Sequence, residues 1–563
     1  MTTVCLNRQA AAWPNPLLLL AALLLLSSCS SLQHWLRLSS VPVSSANGLQ
    51  QQALKRGELL GQLDVVWPGL GSNRALVNNR QRFTGYSGQG SILLDMGNSQ
   101  SLVLNVNGRQ LSIMPPPELG PLLVLDISDY TRNGVNQLAL SDIQPVGTTV
   151  RLVVPYPQLT DSTPEAAGFS ATALSELDDY IQHEVARGFP GAVLLIAKDG
   201  KIVKHTTYGY ANRYRQDGTE LTEPEPMQLD TLFDLASNTK MYATNYALMQ
   251  LVSSGRLDIN KPVQHYIAEY QGDGREQRLV IDLLQHTAGY DAEVHFHRPD
   301  NRHGAMFYSL DRQRSIELIT TAVPFVRQRG ERAVYSDIDY MLLGLLVERI
   351  TGMTLDSYLE QLLYQPMGLH NTLFNPLQKG LSLSRIAATE LDGNSRGGRV
   401  VFPADKRSVV RGFVHDEKAR YAFDGVAGHA GLFSTAHDTA QLAFMALSGG
   451  YGLTKVFSEA TLAQFVSPSA ADATMGLGWR TAVGTALNWQ FGPYASRYAF
   501  GHTGWTGTVT LIDPYYQLVI VLLTNKKHSP IISEGENSYY FAGDRFETGM
   551  YGSIMSKIYA AMQ

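Results

Sequence analysis

Segments predicted to form strands lie at both ends of a long helical region, and this arrangement limits the fold more than any other feature. The first segment, 192–203, reads as two strands joined by the turn Asp199-Gly200. The second, 508–523, reads as two strands joined by Asp513-Pro514. From about residue 237 to about 462 the pattern is largely helical instead. The sequence therefore predicts one domain that combines helices with strands from two distant parts of the chain.

Three short motifs in this domain carry the candidate chemistry. Ser237-Asn238-Thr239-Lys240 places a lysine three residues after a serine, and on a helix the two would lie on one face, roughly 5–6 Å apart at Cβ. A serine hydroxyl is a weak nucleophile near neutral pH and needs such a base within reach. Tyr335-Ser336-Asp337 and His502-Thr503-Gly504 follow in that order. Alone, each could be a chance match, a packed aromatic residue or a turn, but together they indicate an active site.

The first motif is predicted to begin a helix. Ser237 and Asn238 are favourable at a helix N-terminus, apolar residues follow at helical spacing, and Gly255 suits the C-terminal end. A serine at a helix start also places its backbone N–H where an oxyanion could bind.

In this order and spacing the motifs resemble the serine β-lactamase and penicillin-binding-protein superfamily, specifically its class C branch. The greatest likeness is to D-alanyl-D-alanine carboxypeptidases of the penicillin-binding protein 4B type. This resemblance implies an α+β fold, in which a helical region flanks an antiparallel sheet and the site lies where the two meet. It also implies that Ser237 is the nucleophile, with Lys240 and Tyr335 as base or proton relay. Thr503 would bind the substrate carboxylate or orient the ligand, and the Trp505 N–H would complete an oxyanion hole with Ser237.

Two positions depart from the commonest family pattern. His502 stands where lysine is more frequent, and some D,D-peptidases of this branch share that histidine. Asp337 stands where asparagine is more frequent. A carboxylate near Lys240 favours the charged lysine. Our hypothesis is that Asp337 keeps Lys240 protonated and shifts the role of base toward Tyr335.

The resemblance implies a hydrolase that acts on D-alanyl-D-alanine ends of peptidoglycan stem peptides and takes β-lactams as covalent ligands. Two alternatives are an esterase or class C-like β-lactamase on the same scaffold, and a weakly active or inactive cell-wall binding protein. No metal or organic cofactor is predicted. His295, His297 and His303 match no zinc-binding spacing and are interpreted as part of a solvated loop.

The chain is predicted to have four parts. Residues 1–29 read as a signal peptide, 30–60 as a polar tether, 61–157 as a β-sandwich and 158–563 as the catalytic domain. The sandwich segment bears a short resemblance to galactose-binding-like jelly rolls. Sugar or peptidoglycan binding and a simple spacer are both compatible with it.

The N-terminus indicates export with a lipid anchor. A ten-residue apolar run, 17–26, is too short to span a membrane and leads into Leu26-Ser27-Ser28-Cys29, which resembles a lipoprotein cleavage box. Lipidated Cys29 would hold the protein to a membrane, on the periplasmic side of the outer rather than the inner membrane because Ser30 is not aspartate. A plain signal peptide is the alternative. The net charge of −5 and the lack of a long basic stretch argue against a nucleic-acid partner.

Overall fold

The computed structural model describes residues 42–56, 59–68, 77–115, 117–401, 403–533 and 539–563. They form two compact units that divide between Val154 and Pro155. The predicted signal peptide, with the predicted lipidation site Cys29, and residues 30–41 and 57–58 of the predicted tether lie outside the described residues. Within the described ranges, no helix combines the length and the apolar character needed to cross a membrane.

The N-terminal unit is a β-sandwich. Its elements are β1 Val43–Ser45, α1 Gly48–Arg56, β2 Gly61–Val66, β3 Arg80–Gly85, β4 Ser91–Asp95, β5 Ser101–Val106, β6 Arg109–Ile113, β7 Leu122–Asp126, β8 Gly134–Gln144 and β9 Thr149–Val154. One antiparallel sheet has the order β1-β7-β4-β9-β2, and the other has the order β3-β8-β5-β6. Side chains alternate across a strand, and in β2 every second residue is buried. The buried residues form one apolar core that includes Leu63, Leu104 and Leu152, which confirms the predicted all-β unit.

The C-terminal unit contains many short elements around one large sheet. Its strands are β10 Thr160–Asp161, β11 Gly191–Lys198, β12 Lys201–Tyr214, β13 Glu220–Pro226, β14 Phe233–Asp234, β15 Leu373–Phe374, β16 Ala388–Glu390, β17 Val410–Arg411, β18 Leu432–Ser434, β19 Arg480–Thr481, β20 Phe500–Gly504, β21 Thr508–Asp513, β22 Leu518–Thr524, β23 Ile531–Ser533 and β24 Tyr539–Phe541. Its helices are α2 Ala171–Ala186, α3 Tyr246–Ser253, α4 Val280–Leu284, α5 Arg312–Glu317, α6 Asp337–Thr351, α7 Leu355–Leu359, α8 Gln365–Met367, α9 Glu417–Ala422, α10 Ala436–Ser448, α11 Glu459–Val466, α12 Asn488–Phe491, α13 Glu547–Met550 and α14 Gly552–Ala560.

Strands from the two ends of this unit form a single sheet, as predicted. Its order is β10-β12-β11-β22-β21-β20-β19, and β13 pairs with β12. The two chain segments meet where β11 pairs antiparallel with β22, with Val193 opposite Leu523. Every residue of β22 is buried, as expected for an apolar strand that is covered on both faces.

Helices cover both faces of this sheet. Leu177 of α2 and Ile558 of α14 belong to one core with Leu194 and Leu511 of the sheet. Helix α10 packs against β22, β21 and β11. The C-terminal segment forms two helices, because Tyr551 has φ 66° and separates α13 from α14. This arrangement is the predicted α+β fold, and the first motif lies where the helical region meets the sheet.

Candidate active site

The backbone that carries Ser237 is a tight turn rather than the start of a regular helix. Residues Ala236–Asn238 form one turn of 3₁₀-helix directly after β14, and Lys240–Asn245 form a π-helical turn before α3. Ala236 has φ 47°, a region that non-glycine residues rarely adopt, and the Asp234 carboxylate accepts its N–H at 2.8 Å. The predicted helix is therefore present from Ala236 to Ser253, but its first turns are 3₁₀ and π rather than α. The difference arises because the turn must join β14 to α3 and still face the sheet.

Asn238 fastens this turn to the sheet. Its side-chain amide donates to Thr508 Oγ1 at 3.0 Å and accepts from Thr510 Oγ1 at 3.2 Å. Thr508 Oγ1 also donates to the Leu235 carbonyl at 3.1 Å. Asn238 was predicted only as a favourable helix start, so the sequence analysis missed its role in holding the Ser237 turn against β21.

Lys240 contacts Ser237 as the motif predicts. Its ammonium nitrogen is fully buried and lies 3.1 Å from Ser237 Oγ. It also lies 3.0 Å from Asp337 Oδ1 and 3.0 Å from the His429 carbonyl oxygen. Three acceptors thus match the three N–H donors of an ammonium group. Burial opposes the charge, but Asp337 and Tyr335 together outweigh burial and raise the pKa of Lys240. Lys240 and Lys418 in turn hold the pKa of the Asp337 carboxyl at about 2.

Tyr335 lies beside this group with its hydroxyl uncommitted. The Lys240 nitrogen is 4.8 Å from the centroid of its ring, and the guanidinium carbon of Arg480 is 5.5 Å from that centroid. The Tyr335 hydroxyl is buried and has no hydrogen-bond partner among the described residues. Two cations therefore flank a phenol whose oxygen is available to a reacting group.

His286 packs against the ring of Tyr335. Its ring lies 4.8 Å from the Tyr335 ring, and its Nδ1 lies 2.8 Å from Asp339 Oδ2 and 3.2 Å from the Ser336 N–H. Burial lowers the pKa of His286 and raises the pKa of Asp339.

The third motif forms strand β20, Phe500–Gly504, beside the turn of Ser237. A Cβ on Gly504 would lie 2.3 Å from the Leu235 carbonyl oxygen, so glycine allows this strand to approach the backbone before Ser237. His502 is buried 6.0 Å from the Tyr335 ring, and burial next to Arg480 and Lys240 lowers its pKa to about 3. It therefore adds no charge where relatives more often carry lysine. Thr503 lies on the same strand, and Trp505, which follows it, is 47% exposed.

A pocket of about 160 Å³ opens next to Ser237. It is lined by Ala236, Ser237, Glu293, Tyr335, Asp337, Asn394, Arg396, His415, Asp416, Glu417, Lys418, Ala430 and Trp505. Seven polar or charged residues of this lining were not predicted, since they are contributed by loops and a helix start far from the motifs: Glu293, Asn394, Arg396, His415, Asp416, Glu417 and Lys418. A run such as Asp416-Glu417-Lys418 resembles exposed surface in sequence, and no local signal marks it as part of a site.

Two groups of side chains have the types and spacing of metal ligands, but an arginine or a lysine of the protein already pairs with the carboxylates of each group. His295, His297 and Glu417 have donor atoms within 4.8 Å of one another, yet Glu417 Oε2 accepts from Asn394 at 2.5 Å and Glu417 Oε1 is paired with Arg396. Asp337, Asp416 and His429 form the second group, and the Lys418 ammonium lies between the two carboxylates. Neither group fits a metal ion in this arrangement.

The expectation of a solvated loop around His295 and His297 is wrong. Val294 and Phe296, which alternate with them, are fully buried. His295 Nε2 lies 3.4 Å from Glu293, and His295 Nδ1 lies 3.5 Å from Glu417. The segment packs along the pocket because it alternates apolar and polar residues, a pattern that the charged composition of the loop obscured.

Comparison with known proteins agrees with this geometry. The Beta-lactamase family profile matches residues 177–539. The chain belongs to this family of serine hydrolases. It is 49% identical over 407 residues to an N-acetylmuramyl-L-alanine amidase of Bacillus subtilis (strain 168), covering 71% of this chain and 91% of that protein. It is 43% identical over 418 residues to a Salmonella agona (strain SL483) protein named "Putative D-alanyl-D-alanine carboxypeptidase", covering 73% and 96%.

Solved structures show the same fold at low sequence identity. Unliganded simvastatin synthase (LovD) from Aspergillus terreus is 22% identical with a TM-score of 0.51, covering 70% of this chain and all of that one. The hydrolase EstCE1, described as having promiscuous acyltransferase activity, is 19% identical with a TM-score of 0.50, covering 68% and 99%. The predicted superfamily and fold are confirmed.

Proposed function

We propose that this protein removes the terminal D-alanine from D-alanyl-D-alanine ends of peptidoglycan stem peptides. The observation that carries this proposal is the position of Arg480. No carboxylate among the described residues forms an ion pair with its guanidinium group, which lies beside Tyr335. Such a cation beside Tyr335 suits a substrate that ends in a carboxylate, because charge-assisted hydrogen bonds to guanidinium are strong and directional.

The proposed reaction is acyl transfer to Ser237. Ser237 Oγ attacks the carbonyl carbon between the two D-alanines while its proton passes to the base, and the backbone N–H groups of Ser237 and Trp505 stabilise the oxyanion. The C–N bond then breaks, the amine of the departing D-alanine takes a proton, and water hydrolyses the ester on Ser237. Thr503 and Arg480 hold the carboxylate of the leaving group.

The base in this proposal is Tyr335. Lys240 already donates to three acceptors and has a raised pKa, so it offers no lone pair in this state. Its charge instead favours loss of the proton from Ser237 and, with Arg480, stabilises negative charge on the Tyr335 oxygen as the proton moves.

A second candidate is hydrolysis of the amide that joins N-acetylmuramic acid to L-alanine. The relative from Bacillus subtilis, named for that activity, favours it, and so does the polar wall of the pocket. Glu293, Asn394 and Arg396 offer hydrogen-bonding groups suited to a sugar, whereas the penultimate D-alanine needs only space for a methyl group. Both candidates cleave an amide whose nitrogen belongs to an alanine.

One substrate separates the two candidates. The protein is incubated with N-acetylmuramyl-pentapeptide, and the products are identified by mass spectrometry. A carboxypeptidase releases D-alanine and leaves a muramyl tetrapeptide, whereas an amidase releases free muramic acid derivative and an intact pentapeptide. Ser237→Ala must abolish either reaction. Muramyl tetrapeptide without free pentapeptide supports our proposal, and the reverse overturns it in favour of the amidase.

Penicillin tests the acyl-enzyme directly. The strained amide of a penicillin should acylate Ser237, which intact-protein mass spectrometry detects as an adduct that Ser237→Ala lacks. Relative rates on a D,D-peptide, a short-chain ester and a cephalosporin distinguish the peptidase from an esterase or β-lactamase. Retention on peptidoglycan by Ser237→Ala, with no turnover by the wild type, would instead indicate a cell-wall binding protein.

We also propose that Cys29 is lipidated and anchors the protein in the outer membrane, on its periplasmic side. The support is the cleavage-box resemblance at 26–29. Metabolic labelling with a fatty acid should mark the wild type but not Cys29→Ala, and sucrose-gradient fractions should place the label with outer-membrane markers.

A further inference from the structure

Lys418 is a buried cation that the motifs did not reveal. Its side chain is 1% exposed and lies at the start of helix α9. Its nitrogen is 2.9 Å from Asp416 Oδ2, 3.4 Å from Asp337 Oδ2, 3.4 Å from Glu293 Oε2 and 3.9 Å from Glu417 Oε1. Four carboxylates therefore surround one ammonium group at the wall of the pocket, and burial of such a charge is tolerated only when it is paired in this way.

These contacts close a ring that returns to Lys240. Asp337 accepts from Lys240 on Oδ1 and faces Lys418 with Oδ2. Asp416 faces Lys418 with Oδ2, and its Oδ1 lies 2.9 Å from His429 Nε2. The carbonyl oxygen of His429 then accepts from Lys240 at 3.0 Å. Each member of the ring thus affects the position and charge of Lys240, the residue in contact with Ser237.

The positive charge of Lys418 lowers the proton affinity of the groups around Ser237. Lys418 takes up one oxygen of Asp337, so that carboxylate is shared between two cations instead of holding Lys240 alone. Its positive charge also opposes any further proton on nearby groups. The other charged or titratable groups that face the two lysines or Tyr335 are Glu293, Arg396, Glu417, Tyr335, His286, His502, Asp339 and Arg480.

We propose that Lys418 is a positioning residue for the chemistry at Ser237, which acts through Asp337 to make the base at the site easier to deprotonate. The inference rests on the proposed acyl transfer to Ser237. It holds for either base, because removing a neighbouring positive charge strengthens proton binding by both Lys240 and Tyr335. A purely structural ion pair would stabilise the fold without changing the pH dependence of the reaction.

The test measures activation of Ser237 without the natural substrate. The full chain reacts with phenylmethylsulfonyl fluoride, whose sulfur forms a bond to Ser237 Oγ as fluoride leaves and the proton goes to solvent through the base. Intact-protein mass spectrometry follows the rate from pH 5 to 10. In Lys418→Met the acidic limb of the profile should move upward by about one pH unit. Lys418→Arg, which keeps the charge, should retain the wild-type profile.

A matched control is Lys204→Met. Lys204 is another buried lysine of the same unit, paired with Asp178. Its removal should leave the profile unchanged. A folded Lys418→Met with the wild-type profile overturns the proposal, and so does an equal shift in Lys418→Arg and Lys418→Met.

A charge-balanced variant covers the case in which Lys418→Met does not fold. Lys418→Met combined with Asp416→Asn removes both members of the buried pair, and asparagine can still cap helix α9. The profile is compared with that of Asp416→Asn alone: an upward shift relative to this single variant supports the proposal, and an unchanged profile overturns it. A wild type that reacts with the sulfonyl fluoride but with neither penicillin nor muropeptide refutes the proposed function while this test stays valid.

Discussion

At the scale of single residues, the charge on Lys240 is the feature on which the chemistry turns. Asp337 stands 3.0 Å from its nitrogen, where the wider family more often has an uncharged asparagine. Because Asp337 raises the pKa of Lys240 against the effect of burial, the lysine is an ammonium at neutral pH. This agrees with our hypothesis that the role of base shifts toward Tyr335, which remains a prediction.

Asp337→Asn tests that hypothesis. Without the carboxylate, burial is no longer offset, so the pKa of Lys240 should fall by at least about one unit and neutral lysine becomes available at lower pH. The acidic limb of the penicillin acylation profile should therefore move to lower pH. An unchanged limb together with an unchanged acylation rate would contradict the hypothesis.

Arg480 should determine binding of the substrate carboxylate. Replacing it with methionine removes a charge-assisted hydrogen bond worth about 1.5–3 kcal/mol, which corresponds to a rise in KM for the D,D-peptide of about 10–100-fold. Hydrolysis of an ester without a carboxylate should be unaffected. Arg497→Met is the matched control, since Arg497 is exposed beside Tyr498. Equal effects of both substitutions on the peptide would refute the role.

The residues predicted from sequence are those that belong to short motifs. The contact between Ser237 and Lys240 follows from three-residue spacing, and Tyr335 and His502 were placed by family resemblance. Lys418 escaped prediction because its partners lie 81 and 125 residues away along the chain, at Asp337 and Glu293. A buried ion pair across such separations leaves no local pattern in a single sequence.

At the scale of elements, the loop that carries His429 is held tightly against helix α6. A Cβ on Gly428 would lie 2.1 Å from the Tyr340 carbonyl oxygen and 2.8 Å from the Gly344 nitrogen. The contact requires glycine on the loop, and it places the His429 carbonyl where Lys240 donates to it. The strands and helices of this unit were predicted because their buried residues repeat with the period of the element. The irregular backbone at Ser237 has no such period and was not predicted.

Gly428→Ala should therefore damage the site through its backbone. The added methyl group must push the loop away from α6, which should cost about 1–3 kcal/mol of the free energy of unfolding and move the His429 carbonyl from Lys240. We expect penicillin acylation to slow by at least about tenfold, a barrier change of about 1.4 kcal/mol. Gly48→Ala, where a Cβ meets nothing within 4 Å, is the control. Urea unfolding and acylation rates that match the wild type would contradict the prediction.

At the scale of the whole molecule, the sheet joins the two ends of the C-terminal unit around buried polar groups. The alternation of strands and helices predicted that sheet, but the polar groups inside it depend on tertiary contacts. His528, which follows β22, is one of them. Its Nε2 accepts the N–H groups of Arg213 and Tyr214 at 3.0 and 3.1 Å, so β12 is tied to the segment after β22 only while the ring is neutral.

Acid should therefore unfold this unit well above the pKa of ordinary carboxyl groups. Burial lowers the pKa of His528 to about 3, below the value near 6.5 of an unfolded chain, so the unfolded state binds the proton first as the pH falls. Stability is fully present above pH 6.5, and His528 alone should cost about 2–3 kcal/mol between about pH 6.5 and 4.5. His415 and His502, with pKa values of about 4 and 3, add to the loss.

Thermal unfolding measured by circular dichroism from pH 8 to 4 checks this prediction. Glu390 acts in the opposite sense, because burial raises its pKa to about 8, and its cost decreases steadily as the pH falls from about 8 to the unfolded value near 4.5. The midpoint temperature of unfolding should thus be highest at about pH 6–7 and fall steeply at lower pH. His528→Gln, whose amide oxygen can still accept both N–H groups, should lessen the drop. A midpoint that stays level from pH 7 to 4.5 would mean that the buried histidines take up protons without disturbing the sheet.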